Sequence, residues 1–299
     1  MDEHGGIREA AAPIGVCSRP DGPTPNLVCN EVWGGNKMFH GSVELPGMRC
    51  VLFSQPCKGA RGGDIHYLSV CGSGLLSRVC LADVSGHGES VAAVSQAIHE
   101  LLRLSVNRMD ERKVLRGLNL RLSAQDEATF TTATALTYFP PTRRLSISYA
   151  GHEPAWYYDL SRQEWSQLRP DHRRGLFDII LAAEPRSRYT RRVRRAKTGD
   201  RLLMITDGVL EAPNEDVELF GRDRLEEVLR THHDQSPEDI VAEILKRLRD
   251  HTHSEPLKHD DVSLLMIEFV DNLESSALWT AIRNRLLGPR NRTPASETE

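Results

Sequence analysis

The chain has 299 residues, 39% of them hydrophobic and 27% charged, with a net charge of −4 and a pI near 6.3. That length supports one large domain or two small ones, and the mildly acidic balance offers no global basic field for nucleic acid or an anionic membrane. No apolar run nears the roughly 20 residues that span a bilayer. The opening MDEHGGIREAAAPIG carries early acids and no apolar core of the kind secretory leaders have, so a cytoplasmic location is expected.

Residues 1–30 are rich in Gly and Pro and weakly apolar, and they read as a flexible lead-in, with regular structure expected from about Glu31. VELPGMRCVLFSQP (43–56) and IHYLSVCGSGLLSRVCLADV (65–84) read as strands, the second stretch as a hairpin around Gly72-Ser73-Gly74. After Ser85–Gly88 the period becomes helical, with Val91, Val94, Ile98, Leu101 and Leu102 on one face up to about Arg103, and a second helix is expected over 110–122. TFTTATALTYF (129–139), RLSISYAG (144–151) and PAWYYDL (154–160) read as successive strands rich in Thr, Ile and aromatics. RLLMIT (201–206) and VSLLMIEF (262–269) are two more, with helices expected between them at 222–231 and at 237–250, the latter opened by Ser236-Pro237. Runs of strands with paired helices predict an α+β fold, two sheet layers with helices outside, and there are no internal repeats.

The cysteines, Cys17, Cys29, Cys50, Cys57, Cys71 and Cys80, all fall in the first 80 residues, but none forms a C-x-x-C pair. Reduced structural thiols are expected, because a chain of this size needs no disulfide staple. The C-terminal histidines, from His232 to His259, lack a matched ligand set, although His259 borders an aspartate of interest.

The chemistry lies in four aspartates, each at the edge of an apolar run: Asp64 in RGGD, Asp83 in LADVSGHG, Asp207 in MITDG and Asp260 in HDDVS. Strands that each deliver a carboxylate into a turn point acids at a common pocket. Such acids stay ionised together only if something positive sits among them, because like charges raise one another's pKa. Hard oxygen ligands of this kind suit Mg²⁺ or Mn²⁺ rather than zinc, so a two-metal hydrolase is expected. The glycines beside Asp64 and Asp83 allow main-chain groups close to a ligand, and the carbonyl of Val84 is a candidate hard ligand. Singly, each motif also fits a strand-end turn with Asp as turn former; four in this order are harder to dismiss.

The succession RGGD, LADVSGHGESVAA, FTTATALTYF, LSISYAGHEPAWYY, GDRLLMITDGVLEAPN, LFGRDRLEEVL and HDDVSLLMIEF, from about Glu31 to Phe269, resembles the SpoIIE/RsbU-type branch of the PPM (PP2C-like) metal-dependent serine/threonine phosphatases. The resemblance implies a four-layer αββα sandwich over 31–270, followed by a C-terminal segment (271–299). It also implies two Mn²⁺ or Mg²⁺ ions at one end of the sandwich. Carried over by position, Asp83 bridges both ions and Val84 gives its backbone oxygen to one. Asp64 matches the first acidic motif, acting through metal-bound water, and Asp207 and Asp260 match the later metal acids. Asp261 stands where the wider family often has Asn and is a candidate supporting ligand. Adjacent residues seldom both point inward from a strand start, so Asp260 is favoured over Asp261. The implied substrate is a phosphoserine or phosphothreonine protein, in this branch often a STAS-type anti-sigma-factor antagonist of a partner-switching system. A regulatory partner or a dimer is compatible with the chain. The alternatives are a catalytically silent scaffold of the same fold, against which the intact acids argue, and a two-metal hydrolase of small phosphoesters.

Departures from the pattern carry information. A second acid often follows the GGD aspartate by three residues, and that position is Tyr67. His87 fills the slot between Gly86 and Gly88, as a substrate contact or, more in keeping with a lone histidine, as a loop residue. Gly151-His152 reads as a structural turn. The stretch RSRYTRRVRRAK (186–197) fits either a docking strip or an edge strand defended by charge, the commoner use. SSALWTAIRNRLL (275–287) is amphipathic, with Leu278, Ile282 and Leu286 on one face, and the tail beyond it is expected to be disordered.

Overall fold

The computed structural model describes Leu27 and residues 31–85, 89–124, 129–170 and 175–271. His87, the expected helix over 275–287 and all of the expected lead-in except Leu27 lie outside these residues.

The chain opens with β1 (Val32–Gly35), β2 (Phe39–Leu45), β3 (Met48–Gln55), β4 (Ile65–Val70) and β5 (Ser77–Val84), followed by the helices α1 (Glu89–Leu104) and α2 (Glu111–Leu122). Then come β6 (Thr131–Phe139), β7 (Arg144–Ala150), β8 (Trp156–Asp159), β9 (Glu164–Gln167), β10 (Arg192–Arg195) and β11 (Arg201–Ile205). A short helix α3 (Asp207–Leu210), the longer α4 (Gly221–Thr231) and α5 (Pro237–Thr252), and a last strand β12 (Val262–Phe269) complete the described elements. Helix starts follow their caps: the Asp110 side chain accepts from Arg112 N–H ahead of α2, and Ser236 accepts from Asp239 N–H ahead of α5, with Pro237 in its first turn.

The strands form two antiparallel sheets, ordered β1-β4-β5-β6-β7-β10 and β2-β3-β12-β11-β8-β9. Two-residue alternation sorts each strand between two apolar layers. Val79 and Leu81 of β5, Leu52 of β3, Met204 of β11 and Leu265 and Ile267 of β12 meet between the sheets. Cys80, Ala82 and Val84 turn instead to α1 and α2. Phe53, Leu203, Ile205, Leu264 and Met266 turn to α4 and α5. The result is the four-layer αββα sandwich that the motif succession implies.

A fully buried cation ties the first helical layer to its sheet. Arg78 on β5 donates from Nη1 to Ser105 O at 2.8 Å and from Nη2 to Arg108 O, satisfying carbonyls at and after the C-terminal end of α1, where a cation is favoured. The chain changes sheets between β7 and β8, so the run 129–160 divides between the two layers. The short strands β1 and β9 and the helix α3 are not legible from the pattern.

Four strand ends meet at one edge of the sandwich. β4 and β12 begin there, and β5 and β11 end there. Asp64 stands just before β4, Asp83 is the penultimate residue of β5, Asp207 follows β11 by two residues, and Asp260 and Asp261 precede β12.

Candidate metal centre

The inward row of each strand passes from apolar to polar as it reaches this edge. On β5 the row runs Val79, Leu81, Asp83; on β12 it runs back through Leu265 and Ser263 to Asp261; on β11 it runs Leu202, Met204, Thr206. Between the last apolar layer and the acids lies a closed layer of hydroxyls. Thr206 Oγ1 donates to Asp64 Oδ2 at 2.7 Å and accepts from Ser263 N–H at 3.0 Å. Thr206 N–H in turn bonds Ser263 O at 3.0 Å, and Ser263 Oγ lies 3.0 Å from Ser54 Oγ. Thr206 and Ser263 are fully buried, so each of these bonds is made away from water.

The strand register makes Asp261, rather than Asp260, continue the inward row. Its carboxylate receives the backbone of the loop before β4: Cys57 N–H at 2.6 Å, Gly63 N–H, and Asp64 N–H at 3.4 Å. Asp260 is exposed and accepts from Asp261 N–H at 2.8 Å. Asp261 therefore shapes the loop that carries Asp64, while Asp260 keeps an oxygen turned to solvent.

Two glycines are required by close approach. A Cβ on Gly63 would lie 2.6 Å from the Val84 carbonyl oxygen, so glycine is what leaves that oxygen accessible beside Asp83. A Cβ on Gly208 would lie 2.0 Å from Asp261 O, which locks the start of α3 against the 260–261 turn. His259 Nε2 adds a hydrogen bond to Gly208 O at 2.7 Å, giving the residue that borders Asp260 a place in the same interlock.

Charge accumulates here. Asp64 is buried, and burial, with repulsion from Asp83 and Asp261, holds its carboxyl well above the usual range against the opposing Thr206 and Ser263 hydrogen bonds. Burial first, then Asp207, Asp260, Asp261 and Glu211, pushes the Asp83 carboxyl up to about 7. Burial, Asp260 and Glu211 raise Asp207 as well. Glu211 is an acid that sequence reasoning left without a role. Its signal was the spacing within TDGVLEA, since it stands four residues after Asp207 and so one helical turn away, with its N–H bonded to Asp207 O at 2.8 Å.

Among the described residues no three His, Cys, Asp or Glu side chains are gathered tightly enough to hold an ion as they stand. The donor chemistry nonetheless fits a hard divalent cation: all-oxygen, anionic and mutually repelling, with the Val84 carbonyl left open by Gly63.

Other residues singled out in the sequence lie elsewhere. Tyr67, at the place of the second acid, faces α1, where its hydroxyl lies 2.9 Å from Ser95 Oγ; three residues from Asp64 along the chain is the opposite face of the strand. His152 is buried, pairs through Nδ1 with Thr132 Oγ1 at 2.7 Å, and is lowered to about 4 by burial, so it stays neutral. Thr132 is the β6 partner of Asp83, which places His152 behind the site as support. Cys50, Cys57, Cys71 and Cys80 are free thiols, and burial pushes Cys80 up to about 12.

A family model for Stage II sporulation protein E (SpoIIE) matches residues 76–270. The phosphoserine phosphatase RsbU of Bacillus subtilis (strain 168) is 25% identical over 219 residues, covering 72% of this chain and 61% of RsbU. The phosphoserine phosphatase RsbP of the same organism is 25% identical over 196 residues, 64% of this chain and 45% of RsbP. The chain thus spans less than two thirds of the length of either relative. Among solved structures, the RsbU and RsbW domains of Rv1364c from Mycobacterium tuberculosis align with a TM-score of 0.64 at 20% identity, over 79% of this chain and 64% of that one. The SiaA-PP2C domain of Pseudomonas aeruginosa aligns at 0.61 and 18% identity, over 74% and 85%. RsbX in complex with magnesium aligns at 0.56 and 17% identity, over 77% and 99%. These structural likenesses bear on the fold, and it is the PP2C-like sandwich. Since the family model takes in well over half of the chain, from the β4–β5 turn to the end of β12, this protein belongs to the SpoIIE family.

Proposed function

We propose that this chain is a metal-dependent protein phosphatase that hydrolyses phosphoserine or phosphothreonine with water as the nucleophile. The observation that carries the reading is the convergence of Asp64, Asp83, Asp207 and Asp260 on one end of the sandwich, with Asp83 raised to about 7 by burial and then by its acidic neighbours. So many carboxylates in one partly buried place call for divalent counter-charge. Membership of the SpoIIE family, and the phosphoserine phosphatases RsbU and RsbP among its relatives, support the same reading.

In this proposal Asp83, the Val84 carbonyl, Asp207 and Asp260 would hold the ions, and Asp64 would act behind them through bound water. Two Mn²⁺ or Mg²⁺ ions would supply charge neutralisation at the phosphoryl oxygens and acidify the attacking water. The chain's own work is to position. Thr206 fixes the Asp64 carboxylate, Asp261 fixes the loop that carries it, and Gly63 leaves Val84 O uncovered. Among the described residues no thiol suits a covalent route: Cys57, beside the site, is raised by burial and by Asp261, which opposes the thiolate a nucleophile needs. The proposed partner is a phosphorylated STAS-type anti-sigma-factor antagonist. No helix among the described residues is long and apolar enough to cross a membrane.

The test is release of phosphate from an aryl phosphate and from a phosphoserine peptide, with Mn²⁺, with Mg²⁺ and with EDTA. Metal-dependent turnover that Asp83→Asn abolishes is expected. Turnover that persists in EDTA, or in the folded variant, would overturn the assignment.

A further inference from the structure

β10 is an edge strand whose composition and surroundings exceed what an edge needs for protection. It pairs with β7 alone, from Arg192↔Ile147 to Arg195↔Arg144, and no further strand among the described residues lies on its outer side. Its two faces differ. Arg194 folds inward over the Tyr157 ring, 4.0 Å from the centroid, and pairs with Asp159 at 2.8 Å, closing the side of the sandwich. Val193, on the opposite face, is 52% exposed. A cavity of about 90 Å³ opens beside the strand, lined by Leu145, Ile147, Leu168, Arg192, Val193 and Arg194. By comparison with the roughly 30 Å³ of a water, that is room for one small apolar side chain.

Two of the six residues that line the slot are arginines, and four more arginines lie close to it along the chain, at 186, 188, 191 and 195. Arg186, Arg188 and Arg195 have no ion-pair partner among the described residues, whereas Arg191 lies 3.9 Å from Glu111 and Arg194 has Asp159. A guard against aggregation is one use of such charge. The same charge selects among partners. Laying a second copy of β10 against the first would bring two Arg195 side chains, each without an ion-pair partner among the described residues, to the same short seam, so self-pairing is opposed. A strand carrying alternate acids and apolar residues meets complementary charge, the outward backbone donors and acceptors of Val193 and Arg195, and a side-chain slot. Those are the three elements of strand addition, in which backbone bonds give affinity and the pocket gives specificity.

We propose that the outer edge of β10 is a docking site for an extended acidic segment of a partner protein, which adds to the first sheet as its next strand. β10 lies three strands from β5, on the order of 14 Å, so the docked segment would run alongside the acid cluster without covering it. The proposal stands independently of the hydrolytic reading, since it concerns binding alone.

The full chain is titrated into a fluorescein-labelled peptide of alternating Glu and Val, and into its Lys and Val counterpart, with anisotropy read at 50 and 200 mM NaCl. Binding of the acidic peptide, at least tenfold tighter than the basic one and weakened by salt, is expected. The double variant Val193→Glu with Arg195→Glu should weaken it at least tenfold while melting like the parent and leaving hydrolysis of an aryl phosphate unchanged. Arg188→Glu, outside the strand, should weaken it less. Hydrogen exchange should show new protection of the Val193 and Arg195 amides in the complex, since those of 192 and 194 already face β7. Absence of binding, equal affinity for both peptides, no loss in the double variant, or binding without that protection would each overturn strand addition and leave the strip as a charge guard.

Discussion

Replacing Asp83 with Asn should stabilise the metal-free protein even as it removes a proposed ligand. The Asp83 carboxyl is pushed up to about 7 in the folded chain, against about 3.9 for an unperturbed aspartate. Below about pH 4 both folded and unfolded forms carry the proton, and the site imposes no cost. Between about pH 4 and 7 only the folded form keeps it, so unfolding releases a proton and stability falls as pH rises; above 7 the loss is complete. The full loss is about 4 kcal/mol by linkage, and roughly 2–4 kcal/mol after screening by salt and the partial exposure of the group. Asparagine has the shape of the protonated acid and escapes this cost. For a domain of this size that is a rise of about 5–15 °C in Tm. Melts in EDTA from pH 4.5 to 8 would show the two proteins nearly level at the acid end and the variant ahead at pH 8. Added Mn²⁺ should reverse the order by stabilising the parent alone. A variant less stable than the parent at pH 8 in EDTA, or a gap that does not change with pH, would refute the picture of Asp83 as a carboxylate held against its neighbours.

Two further substitutions address the supporting layer. Thr206→Val keeps the shape but removes the bond to Asp64 and leaves Ser263 N–H without its acceptor. A loss of roughly 2 kcal/mol in stability and about 10–100-fold in Mn²⁺ affinity by calorimetry is expected, with Thr206→Ser close to the parent; parental affinity in the valine variant would show that the hydroxyl does not position Asp64. Asp261→Ala strips the acceptor from the N–H groups of Cys57, Gly63 and Asp64. It should cost roughly 2–4 kcal/mol in urea melts, less what relief of repulsion returns, with Asp261→Asn between the two; an alanine variant as stable as the parent would mean that water serves those groups equally well.

The long strands and the paired helices were legible because their signals are long: β3, β5, β6 and β12 are nearly continuous buried runs of eight or nine residues rich in apolar and β-branched side chains, and α5 carries its own Ser-Pro start. β1 reads VWGG and β9 reads EWSQ, four residues each, too short and too polar for alternation to register, and they exist because neighbouring strands pair with them. The acids stood out for a similar reason, since each closes or opens an apolar run. Thr206 did not, because its meaning depends on a partner 142 positions away. Asp261 was visible as a member of the pair, but its grip on the 57–64 loop follows only from the register of β12 against the rest of the sheet.

That register explains why the supporting residues and the acids occur together. The inward rows of β11 and β12 move from Leu and Met through buried Thr206 and Ser263 to the rim, while β5 passes directly from Leu81 to the half-buried Asp83. A direct step from leucine to aspartate would leave Asp64, which is buried, with no donor for its oxygens and a desolvation cost of several kcal/mol. The hydroxyl layer provides that donor and is itself closed by backbone N–H and carbonyl groups, so none of its bonds depends on solvent. Buried Asp64 feels repulsion from Asp83 and Asp261, and the rest falls on groups with some access to water, Asp83, Asp207 and Asp260, the three that the proposal turns toward a cation. The fold thus keeps its unfavourable charge where a ligand can relieve it. That is where a site trades stability for function, and it is why metal and pH should act on the stability of this protein through the same few carboxylates.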